Sequence, residues 1–353
     1  MQEGRIAAGA YDYHLVKEDS DWYLSSVERG EETAIRPEAG AYAANSAAAA
    51  NLFDTRHSDR QGTVYRDPLT GEKRDTRLWL HATGARTTAD DDSGQLRVSN
   101  NHYSALLGGS LAEGVSGAGR WRIGAEAGYG HSRSNTVSRL TGYRARGEVD
   151  GYTLGAYGTW YAEGTANKGL WLESELRYNW FDNSVTGTDE LGEEYHAKGM
   201  TASLEGGYVI AISQSLRRSV FVQPQAQISW SGITADDHTE QNGTRVSAGG
   251  NDNIRSRMGL RAYMQVHAAR DDDNGRYFEP YIEANYIHNS QSYGATLDGV
   301  AVDLAGSRDI VEMKAGLKAV VSRNLSLGGG ISQQWGQNRW SESAATLTVK
   351  YAF

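Results

Sequence analysis

A strict alternation of apolar and polar residues recurs along most of this chain, and no other feature limits its fold as much. In residues 220–230, VFVQPQAQISW, Val220, Val222, Ala226, Ile228 and Trp230 share one face, and Phe221, Gln223, Gln225, Gln227 and Ser229 share the other. Residues 170–180 repeat this, with Leu170, Leu172, Leu176, Tyr178 and Trp180 opposite Glu173, Glu175, Arg177 and Asn179. Residues 254–266 set Ile254, Met258, Leu260, Ala262, Met264 and Val266 against Arg255, Arg257, Arg261 and Gln265. Successive side chains of a pleated strand point to opposite sides, so period two at this length means strands with one apolar and one polar face.

The polar face decides what kind of sheet this is. A soluble sandwich or barrel turns its apolar side inward and its wet side out. Here many apolar faces are bounded by aromatics: Trp121 and Tyr129, Tyr152 and Trp160, Tyr178 and Trp180. The opposite faces mix charge with glycine, as in Arg122, Gly124, Glu126, Gly128 and Gly130, and further inward charges are read at Glu205 and Lys314. An apolar band between aromatic girdles fits a lipid-facing wall, and a charged face fits a wet or plugged lumen. A soluble sandwich would give the alternation without the girdles.

Mean hydropathy is -0.59 and no run of about 18 apolar residues exists, which excludes transmembrane helices. It does not exclude a β-barrel, whose signal is spread over short segments. The net charge of -9 and the lack of a basic run argue against nucleic acid as a partner. With no cysteine, neither a disulfide scaffold nor a thiolate metal site is available. No cofactor is expected.

Strands are predicted near 77–87, 97–111, 120–134, 148–161, 169–183, 196–211, 219–232, 246–266, 276–289, 306–321, 324–336 and 343–353. That is an even number, twelve, so both ends of a barrel would open on one side. Connections near 112–119, 162–168, 212–218 and 322–323 read as short turns. Those near 135–147, 184–195, 233–245 and 290–305 read as longer loops, and 267–275 as a longer turn. Short periplasmic turns and long extracellular loops give that rhythm. At the end, Leu347, Val349, Tyr351 and Phe353 share a face, an amphipathic closing strand whose terminal aromatics, Tyr351 and Phe353, resemble the signal read by the outer-membrane barrel-assembly machinery.

Before the barrel, residues 36–62 break the pattern. RPEAGAYAANSAAAAN has Pro37 at a first helical position, Glu38 in the first turn and alanine, the best helix former, throughout. No stripe is wide enough for an ordinary core helix. A slim helix suits a narrow passage. Twelve strands about 4.8 Å apart, tilted about 40°, leave a lumen near 13–14 Å, against roughly 10 Å for a helix. The expected lumen residues of that helix are Ala39, Ala43, Ala44, Ala47, Ala48 and Asn51. Residues 63–76 read as a linker and 77–353 as the barrel. In residues 1–35, Tyr11, Tyr13 and Leu15 alternate, as do Trp22 and Leu24, and read as the end of a further domain; a disordered leader is the alternative. Nothing like a signal peptide opens the chain, which is read as a piece of a longer exported precursor.

The order YDYHL…WYLSS, RPEAGAYAANSAAAANLFDTRHSDRQG, RLWLHATGAR, then alternating strands with QPQAQISW and FEPYIEANY, resembles the type Va autotransporter translocator, nearest the AIDA-type adhesin branch. The resemblance implies a twelve-stranded outer-membrane barrel plugged by an α-helix, with a passenger on its own N-terminal side carried to the cell surface. In some relatives the passenger is cut within the helix at an Asn-Asn step; here the helix has only isolated Asn45 and Asn51.

No G-x-S-x-G, H-E-x-x-H or P-loop motif is present. An outer-membrane protease or esterase would need loop histidines such as His102, His131, His196 and His238, which scattered surface positions explain equally well. Asp90, Asp91 and Asp92 offer a cation site, although charge runs in loops are usually solvated. A porin-like channel lined by Glu173, Glu205, Arg257, Arg261 and Lys314 is the other rival, and it leaves the alanine helix unexplained.

Overall fold

The computed structural model describes residues 5–27, 32–60, 65–66, 73–74, 78–117, 119–163, 168–271, 276–322 and 324–352. Twelve antiparallel strands close into one barrel. They are β1 (Leu78–Asp90), β2 (Leu96–Ser116), β3 (Gly119–Ser138), β4 (Arg144–Tyr161), β5 (Gly169–Gly187) and β6 (Glu193–Gln214). Then follow β7 (Arg218–Ala235), β8 (Asn253–Val266), β9 (Tyr277–Asn289), β10 (Asp309–Val320), β11 (Leu325–Trp335) and β12 (Ser341–Tyr351). Each pairs with the next, and β12 closes on β1 with Tyr351 opposite Leu78. The end where β1 starts and β12 finishes is here the closing end, and the other the far end.

The wall is inside out relative to a soluble core. Leu172, Leu176, Ile228, Met258, Leu260, Leu317 and Ile331 are exposed on its outer face, while Glu126, Glu173, Glu283 and Glu312 are buried within. Aromatics ring the outer face twice: Tyr103, Tyr129, Tyr152, Trp180, Trp230, Tyr286 and Trp335 toward the far end, and Trp160, Tyr208, Phe278 and Tyr351 toward the closing end. Tyr152 and Trp160 are eight residues apart on β4. That separates the rings by about 20 Å along a tilted barrel, near the height of an outer-membrane apolar band.

Several boundaries differ from the sequence reading. Segments 135–147 and 184–195, expected as loops, are mostly strand: β3 reaches Ser138 and β4 starts at Arg144, while β5 reaches Gly187 and β6 starts at Glu193. Beyond the apolar band both faces are polar, as with buried Ser132, Ser134 and Thr136 between exposed Arg133 and Asn135, so the composition mimics a loop. The segment 246–266 is not one strand. Arg245–Gly249 leaves the wall to join His238–Thr239, Gly294–Leu297 and Val300–Asp303 in a four-stranded sheet at the far mouth. Gly250 at φ +89° and Asp252 at φ +57° make the break, a left-handed stretch no strand continues through. Residues 306–308 precede β10.

The helix α1 spans Pro37–Asn51 rather than 36–62. Past Asn51, side chains bind the wall instead of continuing a helical ladder, and only a single turn, α2 (His57–Arg60), follows. Ahead of α1, Ile6–Ala8, Tyr11–Glu18 and Asp21–Ser25 form a small antiparallel sheet, so the described part of the leader is ordered. Of the expected linker 63–76, only the paired strands Tyr65–Arg66 and Lys73–Arg74 are described, and Phe353 lies outside the described residues.

Candidate functional site

The lumen is occupied by the chain's own segment 36–60, which enters at the far end and descends toward the closing end. The entrance is fixed by charge. Arg5 donates from Nη1 and Nη2 to the Glu38 carboxylate at 2.6 and 2.8 Å and from Nε to Asp12 at 2.6 Å. Burial pushes the Asp12 carboxyl above the usual carboxylate range, with Arg5 pulling it back. Arg36 and Tyr42 both donate to Glu240, at 2.5 and 2.9 Å, tying the start of α1 to the connection between β7 and β8.

Along α1 the fit is steric. Ala39 and Ala43 are wholly buried, Ala44 and Ala48 nearly so. Glycines on the wall make room: a Cβ on Gly147 would strike Asn45 and the Ala41 carbonyl, and Cβ atoms on Gly130 and Gly151 would meet Leu52 at 2.7 and 2.9 Å. Asn45 donates to the Ser184 carbonyl and the Tyr195 hydroxyl, each at 3.1 Å. The helix lies off centre. Ala47 and Asn51 face a cavity of about 140 Å³ toward β1, β2 and β8–β12, also lined by His81, Glu312 and Trp340. Asn51 accepts from Arg255 Nη1 at 2.9 Å.

Below α1 the fit becomes ionic. Arg56 sits between Glu283 at 2.6 Å and Glu312 at 2.5 Å. Arg60 reaches Glu175 at 2.5 Å, Glu173 at 2.9 Å and Glu126 at 3.4 Å. Asp54 lies 3.2 Å from both Arg255 and Arg257, and Asp59 3.8 Å from Lys314. His57 stacks on Trp171 with ring centroids 4.0 Å apart, and its backbone N–H donates to Glu205 at 2.8 Å. Arg177 bridges wall and segment, bonding Glu126 at 2.6 Å, the Phe53 carbonyl at 2.5 Å and Thr55 at 2.5 Å. Most of these partners are buried, with Asp54 the exposed exception, so the buried charges are matched rather than solvated.

Of the other inward residues, Arg122 is buried with its guanidinium 5.9 Å from the Tyr157 ring. Arg261 lies 4.1 Å over Tyr281 and 3.6 Å from Glu279, and Gln225 accepts from Gln223 at 3.0 Å. Tyr351 is on the outer face. The sequence reading gave no role to Asp54, Arg56, His57, Asp59 or Arg60, whose signal was five ionisable residues in the seven that follow Phe53. The candidate histidines do not gather: His131 pairs with Asp150, His196 with Asp182, His238 stacks on Tyr195, and His102 lines the cavity. Asp90 is bound by Arg139 and Arg339, and Asp91 caps Ser93 and Leu96, while no metal-holding cluster occurs among the described residues.

Residues 78–332 of this barrel, sealed around its own leading segment, match the model of the autotransporter β-domain. This chain belongs to the autotransporter β-domain family. It is 38% identical over 377 residues to the uncharacterized protein YuaQ of Escherichia coli K12, covering 100% of this chain and 28% of YuaQ. It is 35% identical over 365 residues to the autotransporter adhesin AIDA-I of Escherichia coli, covering 99% of this chain and 28% of AIDA-I. This chain thus spans under a third of those relatives. The crystal structure of the AIDA-I transport unit superposes with a TM-score of 0.82 at 33% identity, over 90% of this chain and 99% of that one. Autotransporter β-domains are barrels of the outer membrane, consistent with the double aromatic ring.

Proposed function

We propose that this β-domain exports an N-terminal passenger, an adhesin by kinship with AIDA-I, and then anchors it at the cell surface. The observation that carries the reading is the threaded path: residues 5–27 and 32–36 lie at the far end, 37–60 run down the lumen, and β1 starts at the closing end. In this reading the far end is extracellular, the closing end periplasmic, residues 1–35 are the passenger's stem, and 36–62 fill the pore once export is complete. Tyr351 and Phe353 serve recognition by the barrel-assembly machinery, and no catalytic role is assigned to the barrel.

The experiment is a conductance comparison in planar bilayers. The intact chain should conduct poorly, and removal of residues 1–60 should raise conductance by roughly an order of magnitude as the lumen opens. The barrel should remain folded, since strand pairing does not involve the removed segment. An intact chain as conductive as the truncated one would place the segment outside the lumen and favour a porin-like channel.

A further inference from the structure

The outer wall at the far end carries a cluster of arginines that lumen filling does not use. Arg86 on β1, Arg97 on β2, Arg133 on β3, and Arg144 and Arg146 on β4 are all exposed. Register sets Arg86 opposite Asn101, Asn101 opposite Arg133, and Arg133 opposite Glu148. The next row joins Thr88, Ser99, Asn135 and Arg146, and the one beyond joins Asp90, Arg97, Val137 and Arg144, with the Asp90 carboxylate held by Arg139 at 2.6 Å and Arg339 at 2.9 Å. With strands about 4.8 Å apart and same-face residues about 6.6 Å apart, these arginines occupy a patch of roughly 15 by 13 Å. The carboxylate in the first of these rows, Glu148, is held by Arg133 at 2.7 Å. Arg86, Arg97, Arg144 and Arg146 form no ion pair with a described residue.

Height identifies what such a patch would meet. Tyr103, Tyr129 and Tyr152 lie beneath it in mutual contact, with centroid separations of 6.4 and 5.3 Å, and mark the edge of the apolar band. Arg97 is six residues beyond Tyr103, Arg133 four beyond Tyr129, and Arg146 and Arg144 six and eight beyond Tyr152. On tilted strands that is roughly 10–20 Å past the aromatic ring, whereas the polar zone of an ordinary phospholipid leaflet is only about 5–8 Å deep. The complementary ligand is therefore anionic and taller than a phospholipid headgroup. Guanidinium forks bind phosphate oxygens in pairs. The opposite wall has no such cluster: β8–β12 are short, and their outward positions there include Ser256, Gln333, Ser341 and Ser343.

We propose that the outward arginines of β1–β4 bind the phosphates of a lipopolysaccharide-type glycolipid packed against the wall. The proposal rests on the reading that the far end is extracellular. Binding of lipopolysaccharide to the intact protein in phosphatidylcholine nanodiscs would be compared with that of a variant carrying Arg86→Gln, Arg97→Gln, Arg144→Gln and Arg146→Gln. Each arginine should be worth about fivefold in affinity, and the four together roughly 600-fold if independent. A control pair off the patch, Arg218→Gln with Arg245→Gln, should change affinity little. Equal loss in the control, unchanged binding by the fourfold variant, or equal binding of dephosphorylated lipopolysaccharide would overturn the proposal. So would saturation by inorganic phosphate at the same concentration. Protease access to the 139–143 turn on intact cells reads the orientation separately. An inaccessible turn would overturn the functional reading of the far end, and the leaflet assigned here with it, whatever the nanodisc result.

Discussion

The two halves of the lumen segment are held in opposite ways. In α1, alanines pack against apolar side chains of the wall and mouth such as Leu96, Val98, Val185 and Ile287, and contact is set by shape, with few directional bonds along its middle. In Asp54–Arg60 shape matters less, and nearly every side chain meets an opposite charge. A smooth rod can slide or turn at little cost, whereas a buried ion network has one register. The difference makes the helix a packed filler and the segment below it the part whose register is fixed.

The most severe test of that division is to unpair the lower segment. Arg60→Leu leaves Glu126, Glu173 and Glu175 short of a buried cation and should cost about 3–5 kcal/mol, read as a fall in thermal stability of the purified protein. Arg56→Leu should behave similarly through Glu283 and Glu312. Adding Glu312→Leu to Arg56→Leu should recover part of the loss, a coupling of about 0.5–3 kcal/mol in a double-mutant cycle. If the double variant is no better than additive, the ionic description of this half fails.

Overpacking probes the other half. Gly147→Leu should cost about 1–3 kcal/mol by driving a side chain into α1 at Asn45 and Ala41. Gly84→Leu, on β1 with nothing within 4 Å of its added Cβ, should be near neutral. Equal effects would remove the case for steric fit. The smallest effect belongs to Ala43→Gly, about 0.5–1 kcal/mol from lost helix propensity, measurable in the same melts. A loss as large as that of Arg60→Leu would reverse the comparison.

The same contrast explains what the sequence could and could not tell. Period two announces a strand and its faces within a few residues, so the lipid side of 170–180 and the run of alanines in α1 are local information. Pairing is not. Arg56 meets Glu312, 256 positions away, and no spacing rule connects them. Asp54–Arg60 reads as an ordinary polar linker until the wall supplies its partners. Beyond the aromatic ring the local signal also fades, because neither face of β3 or β4 needs to be apolar there. The strand predicted over 246–266 runs across Gly249–Asn253, where the alternation lapses, and the positive φ at Gly250 and Asp252 sends Arg245–Gly249 to the mouth instead of β8.

The seal between β1 and β12 has a mechanical consequence. Because the ring closes around a helical segment of its own chain, the barrel is threaded by the cord it is tied to. Tension on the far side would not first peel strands from the wall. It would load Arg36–Glu240 at the mouth first and, once that gives way, the guanidinium contacts of Arg56 and Arg60 below, which reach carboxylates spread around the circumference.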